Sequence, residues 1–257
     1  MRNKLTDELA VCGLNAVKAL GEYHSEKINR FFLREDRLSS FTGLCKNLAE
    51  RKRPYKICLD EELERICKSV HHQGVAAMIE TPVINPLTRE DLELWAGEGK
   101  TGLVLHAVGN DHNLGAIVRS AAFFDAYFVV VNEGDSASYL STSAYRVAEG
   151  GMEHIEFRKV RNTAAFLRDA SERIITIGAD VRTRSRLEDL ASIVREKAES
   201  SGKQPGIAVV LGNEETGLPT EVKDRCSVLL RIPGTGVIES LNVAQAATLF
   251  LHEIFRI

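Results

Sequence analysis

Apolar residues along the chain follow two regimes that change near residue 100. Up to about Glu80 they come in short alternations. Their spacing predicts helices over Gly13–His24, Asp36–Glu50 and Asp60–Ser69, and strands over Ile28–Leu33, Tyr55–Cys58 and Val75–Ile79. Residues 1–80 therefore read as a small α/β/α unit. Pro82, Pro86, Gly97 and Gly99 interrupt the next stretch, which reads as a linker over 81–100 with a short helical turn at Asp91–Trp95. From Thr101 to the end, residues 101–257, strand and helix alternate more strongly. Strands are predicted at Leu103–Val108, Tyr127–Asn132, Arg173–Gly178, Ile207–Leu211 and Val228–Ile232. Helices are predicted at Leu114–Phe124, Thr142–Ala148, Thr163–Ser171, Leu187–Ser200 and Leu241–Phe255. Such near-continuous β-branched and apolar strands suit a mainly parallel sheet with helices on both faces, an α/β fold.

Composition narrows this picture rather than changing it. The 257 residues are 44% hydrophobic and 27% charged, ordinary for a soluble globular chain. No apolar run reaches the roughly 18 residues that span a bilayer, and the first residues carry no apolar leader. Five scattered cysteines (Cys12, Cys45, Cys58, Cys67, Cys226) form no C-x-x-C pair, which points to reduced thiols, a cytoplasmic setting and no zinc. The net charge of -3 does not advertise a nucleic-acid binder, so such a role needs local basic patches. Two candidates are Lys46 to Lys56, with Arg51, Lys52 and Arg53, and the cluster Arg182, Arg184 and Arg186.

Three segments carry possible chemistry. Asn113–Arg119 follows the first strong strand. Asn113 can cap the next helix or serve a site, and Arg119, on a helix rich in small and apolar residues, needs an anion, a carboxylate or solvent. Leu211-Gly212-Asn213-Glu214-Glu215-Thr216-Gly217 leaves a strand at the end where open α/β sheets bind ligands, and its glycines allow close approach. Ile232 to Ala244 is a Gly-rich turn leading into Ser240-Leu241-Asn242, where Ser240 reads as a cap and Asn242 is harder to explain by propensity. Gly99-Lys100-Thr101 mimics the tail of a phosphate loop but precedes a strand, and no G-x-G-x-x-G follows one. His71-His72 lacks metal-ligand company and reads as part of a helix-to-strand turn.

Taken together and in order, Asn113–Arg119, Val210–Gly217 and Ile232–Ala244 resemble motifs 1, 2 and 3 of the SpoU (TrmH) RNA ribose 2'-O-methyltransferases. Gly13-Leu14-Asn15-Ala16-Val17, Glu62-Leu63 and His71 to Ala76 resemble that family's N-terminal substrate-binding domain, which has a ribosomal-protein-like fold. The resemblance implies methyl transfer from S-adenosylmethionine to a ribose 2'-hydroxyl, without a metal. It also implies a deep trefoil knot and a homodimer through the knotted domain. The substrate it implies is structured RNA, ribosomal RNA favoured and transfer RNA possible. Carried onto this sequence, the catalytic set is Arg119, Asn113, Glu214, Ser240 and Asn242. Gly178, Ala179, Leu211, Gly212, Asn213, Ile232 and Leu241 would hold the cofactor, largely by backbone.

Two departures accompany the resemblance: Gly234 stands where the family often has Met, and Glu149 precedes Gly150-Gly151 where a small residue is usual. An alternative is a non-catalytic RNA-binding or ribosome-assembly protein that keeps the fold. A generic nucleotide-binding α/β protein is a third reading, weakened by the missing glycine patterns.

Overall fold

A computed structural model of the chain describes residues 7–134 and 140–257. The first unit runs β1 (Glu8–Cys12), α1 (Leu14–Tyr23), β2 (Ile28–Leu33), α2 (Thr42–Glu50), β3 (Tyr55–Ile57), α3 (Asp60–Cys67) and β4 (Val75–Glu80). Its four-stranded sheet has the order β1-β4-β2-β3. β4 is antiparallel to both β1 and β2, and β3 is parallel to β2. β1 was not foreseen. Its short apolar run has no alternation, because every residue of it is buried, and such a run carries no period. The helix expected over 36–50 starts only at Thr42, since Glu35–Phe41 is wound as 3-10 turns through the weak helix formers Ser39 and Ser40. His72 is buried, and its Nδ1 accepts the Gly74 N–H at 3.0 Å, so it shapes the turn into β4.

The stretch expected as a linker belongs instead to the second sheet. It contains β5 (Asn85–Pro86) and α4 (Arg89–Gly97). Thr88 and Asp91 close a reciprocal capping box that starts α4. Trp95 is wholly buried, stacks 4.9 Å from Phe128 and donates its indole N–H to the Ile207 carbonyl at 3.1 Å. Prolines and glycines suggested a break here. The buried tryptophan shows that they bend an integral layer.

The remaining elements are β6 (Thr101–Leu105), α5 (Asp111–Phe123), β7 (Phe128–Asn132), α6 (Thr142–Ala148), β8 (Glu156–Val160), α7 (Thr163–Ala170) and β9 (Ile174–Ala179). Then come α8 (Leu190–Ser201), β10 (Gly206–Leu211), α9 (Thr220–Lys223), β11 (Val228–Leu230) and α10 (Val243–Phe255). Seven strands form a sheet of order β11-β9-β10-β6-β7-β8-β5, with every neighbouring pair parallel. β8 escaped the sequence reading because Glu156, Arg158 and Lys159 interrupt its apolar pattern, and its side chains are only partly covered near the sheet edge. Buried residues of α5, α6, α8 and α10 cover one face, continuous with the core of the first unit. Those of α4, α7 and α9 cover the other. No helix among the described residues is long and apolar enough to cross a membrane.

Two features position the site. From β6 the chain builds outward through β7 and β8, while β10 and β9 lie on β6's other side. The carboxyl ends of β6 and β10 thus flank the switch point, where open α/β sheets form a crevice. Secondly, the segment 180–187 hydrogen-bonds both edges of the chain at the end of β11. On one side the Leu230 carbonyl accepts the Asp180 N–H at 3.1 Å. On the other, Arg231 N–H donates to the Ser185 carbonyl at 3.0 Å and its own carbonyl accepts the Leu187 N–H at 2.8 Å.

Candidate active site

The loop after β6 bends where Ala107 takes a φ of 56°, which ends the strand at Leu105 rather than at the expected Val108. Asn110, not Asn113, caps α5: its Oδ1 accepts the His112 N–H at 2.8 Å. The helix therefore begins at Asp111, and Asn113 sits in its first turn with its side chain free for other work.

The loop after β10 folds back on itself. A Cβ at Gly212 would stand 2.4 Å from the Gly217 carbonyl carbon, so only glycine admits this fold. Asn213 holds it closed. Its Oδ1 accepts the N–H groups of Glu215 (3.0 Å) and Thr216 (3.1 Å), and its Nδ2 donates to the Ala107 carbonyl at 2.9 Å. Its side chain thus joins the two loops, and only its backbone is left to meet a ligand. Gly178 is also consumed by packing. A Cβ there would lie 2.5 Å from Leu229 Cδ2 and 3.0 Å from Cys226 Sγ, so β11 closes against it, while Ala179 ends the strand half-buried. The same burial pushes the Cys226 thiol up to about 12.

The third segment starts α10 at Val243, two residues later than expected. Asn242 is its cap, its Oδ1 accepting the Ala244 N–H at 2.8 Å, whereas Ser240 stands exposed in the preceding loop and caps nothing.

A single chain of hydrogen bonds ties the three segments together. Asn242 Nδ2 donates to Asn113 Oδ1 at 3.0 Å, and Asn113 Nδ2 donates to Glu214 Oε1 at 2.6 Å. The polarity runs one way only. Because Asn242 spends its oxygen on the Ala244 N–H, its amide must face Asn113, whose amide must then face a carboxylate. Arg119 does not join this chain. It lies six residues beyond Asn113, about 9 Å along α5 and well round its circumference, exposed and forming no ion pair among the described residues. Behind it, a Cβ at Gly151 would come within 3.1 Å of the Val118 carbonyl oxygen and 3.3 Å of Arg119 Cα, so the turn 149–151 supports this point of the helix.

Leu211 is buried, Ile232 half-buried and Leu241 exposed. From Ile232 to Leu241 no backbone N–H donates to another backbone group, among the described residues, and Pro233 to Leu241 is exposed throughout. Ten consecutive residues with unspent backbone groups, in the loop that ends at the Asn242–Asn113–Glu214 chain, are suited to hydrogen-bond a polar ligand by main chain. No cluster of His, Cys, Asp and Glu among the described residues could hold a metal ion.

Parallel strands with three loops hydrogen-bonded together at the switch point define an α/β protein whose candidate site lies at the carboxyl ends of β6, β10 and β11. Residues 100–252 match the SpoU rRNA methylase family, and residues 10–83 match the RNA 2'-O ribose methyltransferase substrate-binding family. The chain belongs to the SpoU rRNA methylase family. It is 31% identical over 255 residues to the 23S rRNA (guanosine-2'-O-)-methyltransferase RlmB of Nitrosomonas europaea, covering 98% of this chain and 93% of that one. It is 30% identical over 256 residues to the uncharacterized tRNA/rRNA methyltransferase YfiF of Escherichia coli O157:H7, covering 100% of this chain and 70% of that one. The SpoU methyltransferase AviRb of Streptomyces viridochromogenes, solved with AdoMet, shares the fold at TM-score 0.74 and 20% identity, covering 100% of this chain and 93% of that one.

Proposed function

We propose that this protein transfers a methyl group from S-adenosylmethionine to a ribose 2'-hydroxyl of ribosomal RNA. The observation that carries the reading is the Asn242–Asn113–Glu214 chain, which converts three distant loops into one fixed wall. A plain binding module has no chemical need of it. The donor, when bound, supplies an electrophilic methyl group on a sulfonium. Backbone at Leu211, Gly212, Ile232 and Leu241 would hold it, with Ala179 alongside, and the Glu214 carboxylate favours its positive charge.

What the chain must then do is align the sugar oxygen, since in-line displacement gains most from positioning. Arg119 is a poor proton acceptor, because guanidinium stays protonated at neutral pH. Its exposure and free donors suit it to bind the adjoining phosphate and stabilise the forming alkoxide. Ser240, exposed near the Asn242 end of the wall, supports the reactive geometry in this reading.

Residues up to about 80 form the RNA-gripping unit, with the Lys46–Lys56 patch on the phosphates, and the rest forms the methyltransferase domain. The hydrogen bonds from segment 180–187 to both edges of the β11 end are in keeping with the deep trefoil knot. Phe123 and Phe255, exposed at the ends of α5 and α10, support a homodimer through that domain. The free state of all five cysteines suits the cytoplasm.

The test is direct. Purified protein is incubated with radiolabelled S-adenosylmethionine and unmodified 23S ribosomal RNA transcript, and the product is mapped by alkaline hydrolysis. An alkali-resistant linkage at one nucleotide supports the reading. S-adenosylmethionine binding without any transfer to ribosomal or transfer RNA favours the non-catalytic assembly protein.

A further inference from the structure

Four arginines gather on the loop that hydrogen-bonds both edges of the β11 end. Arg182, Arg184 and Arg186 lie on the loop itself, and Arg231 is the residue that the loop grips. Arg186 and Arg231 form a parallel bridge, so their side chains leave the same face. The loop is tied down at several points. Thr183 Oγ1 donates to the Leu229 carbonyl at 3.3 Å, and the Arg186 N–H donates to Asp189 Oδ2 at 2.7 Å.

None of the four guanidinium groups forms an ion pair among the described residues. The acids of the segment are mostly engaged elsewhere. Asp180 pairs with Lys223 at 2.8 Å and accepts the Arg182 N–H at 3.1 Å, which holds its carboxyl below the usual range despite burial. Asp189 is taken by the Arg186 backbone, leaving Glu188 as the one acid of residues 180–189 without such a contact. Arg231 is the telling member. Its Nε is buried with no hydrogen-bond partner. The half-buried guanidinium thus has no partner for its charge among the described residues, which leaves that charge to an anion at the loop.

We propose that Arg184, Arg186 and Arg231 hold backbone phosphates of the substrate RNA, immediately beside the 232–242 loop. This rests on the methyltransferase reading above and names a second contact for the same substrate. Guanidinium forks match phosphate oxygens two at a time, and a pre-tied loop loses little freedom on binding them. A chain of net charge -3 repels a polyanion overall, so it needs local cations at both ends of the bound RNA. The Lys46–Lys56 patch serves one end. This loop serves the other, next to the crevice, where it would set the register of the target ribose.

The experiment measures binding of the full-length protein to an unmodified 23S ribosomal RNA transcript across a potassium chloride series. Calorimetry with S-adenosylmethionine runs in parallel. Arg184→Ala/Arg186→Ala is expected to weaken RNA binding and to flatten the log–log salt slope by about 1.4–1.8, two phosphates' worth. S-adenosylmethionine affinity should not move, and Arg184→Lys/Arg186→Lys should restore most of the slope. An unchanged slope in the alanine variant overturns the proposal while leaving the methyltransferase reading intact. Lost S-adenosylmethionine affinity with an unchanged RNA slope overturns it too, by assigning the arginines to the donor. If the parent protein shows no salt-dependent affinity for the transcript, the RNA reading itself fails and takes this one with it.

Discussion

Asn15 donates its side-chain amide to Glu149 Oε2 at 2.6 Å, across 134 positions of sequence. This contact explains why a carboxylate stands before Gly150-Gly151. Glu149 ends α6 in the left-handed region, with a φ of 52°, and its side chain fastens α6 to α1 of the first unit. Beside it, His24 Nδ1 meets Glu153 Oε2 at 2.6 Å and Tyr23 packs edge-on to His154. Glu149→Ala is expected to lose about 1 kcal/mol in urea unfolding, since the contact is solvent-accessible. Gly150→Ala should cost more, about 1–3 kcal/mol. Its φ is +99° and the new Cβ would stand 2.8 Å from Ala19 Cβ. Equal stability of parent and Gly150→Ala would refute the tight seam.

The amide chain makes Asn113 and Asn242 interdependent. Asn113→Ala leaves both a carboxylate and an amide unpaired, and Asn242→Ala leaves an unpaired oxygen on Asn113. In a double-mutant cycle on methyl-transfer rate, the coupling energy should fall at about 0.5–3 kcal/mol. Strict additivity would show that the loops act separately.

Arg119 makes no hydrogen bond to the three residues of the hydrogen-bonded wall, so its loss should spare the cofactor. Arg119→Ala is expected to lower the transfer rate by about 10²–10³ with S-adenosylmethionine affinity unchanged. A variant that methylates RNA at the parent rate removes Arg119 from the site.

Gly212→Ala should disturb the loop after β10, because the new Cβ meets backbone at Gly217 rather than a movable side chain. The expected result is weaker S-adenosylmethionine binding, by tenfold or more in Kd, together with a lower melting temperature. Calorimetry on the two proteins at one salt concentration decides it.

Asp91 supplies a pH signature of the former linker. Burial pushes its carboxyl up, but two bonds from Arg158 at 2.9 and 3.1 Å and one from the Thr88 N–H outweigh that and hold it below the ordinary range. A depressed acid stabilises above its unfolded pKa, about 3.9, and that stability disappears as pH falls through the lower folded value. Asp91→Asn should therefore cost about 1–3 kcal/mol at pH 7 and progressively less below about pH 4. A gap that stays constant down to pH 2 would mean that the Asp91 charge does not stabilise this layer.

The strand-and-helix alternation after Thr101 was legible along the chain. So were the three loops, because two-sided burial demands continuous apolar strands and turns demand glycine and asparagine. β1 and β8 were not: one is too uniformly apolar to show a period, the other too charged at the sheet edge. The linker reading of 81–100 failed for a related reason, since proline and glycine report a bend in the backbone but not what Trp95 packs against.

Residue types and their order determined which side chains could do chemistry. Tertiary structure alone decided how they are shared out. Asn110 takes the cap, which frees Asn113 for Glu214 and Asn242. Asn213 is spent on closing its own loop, and Arg119 is set apart around the helix. The Asn110 cap and the Asn213 turn are settled locally, two or three residues away, but the partners of Asn113 and of the Asn213 amide lie more than a hundred residues distant, and no local pattern encodes those.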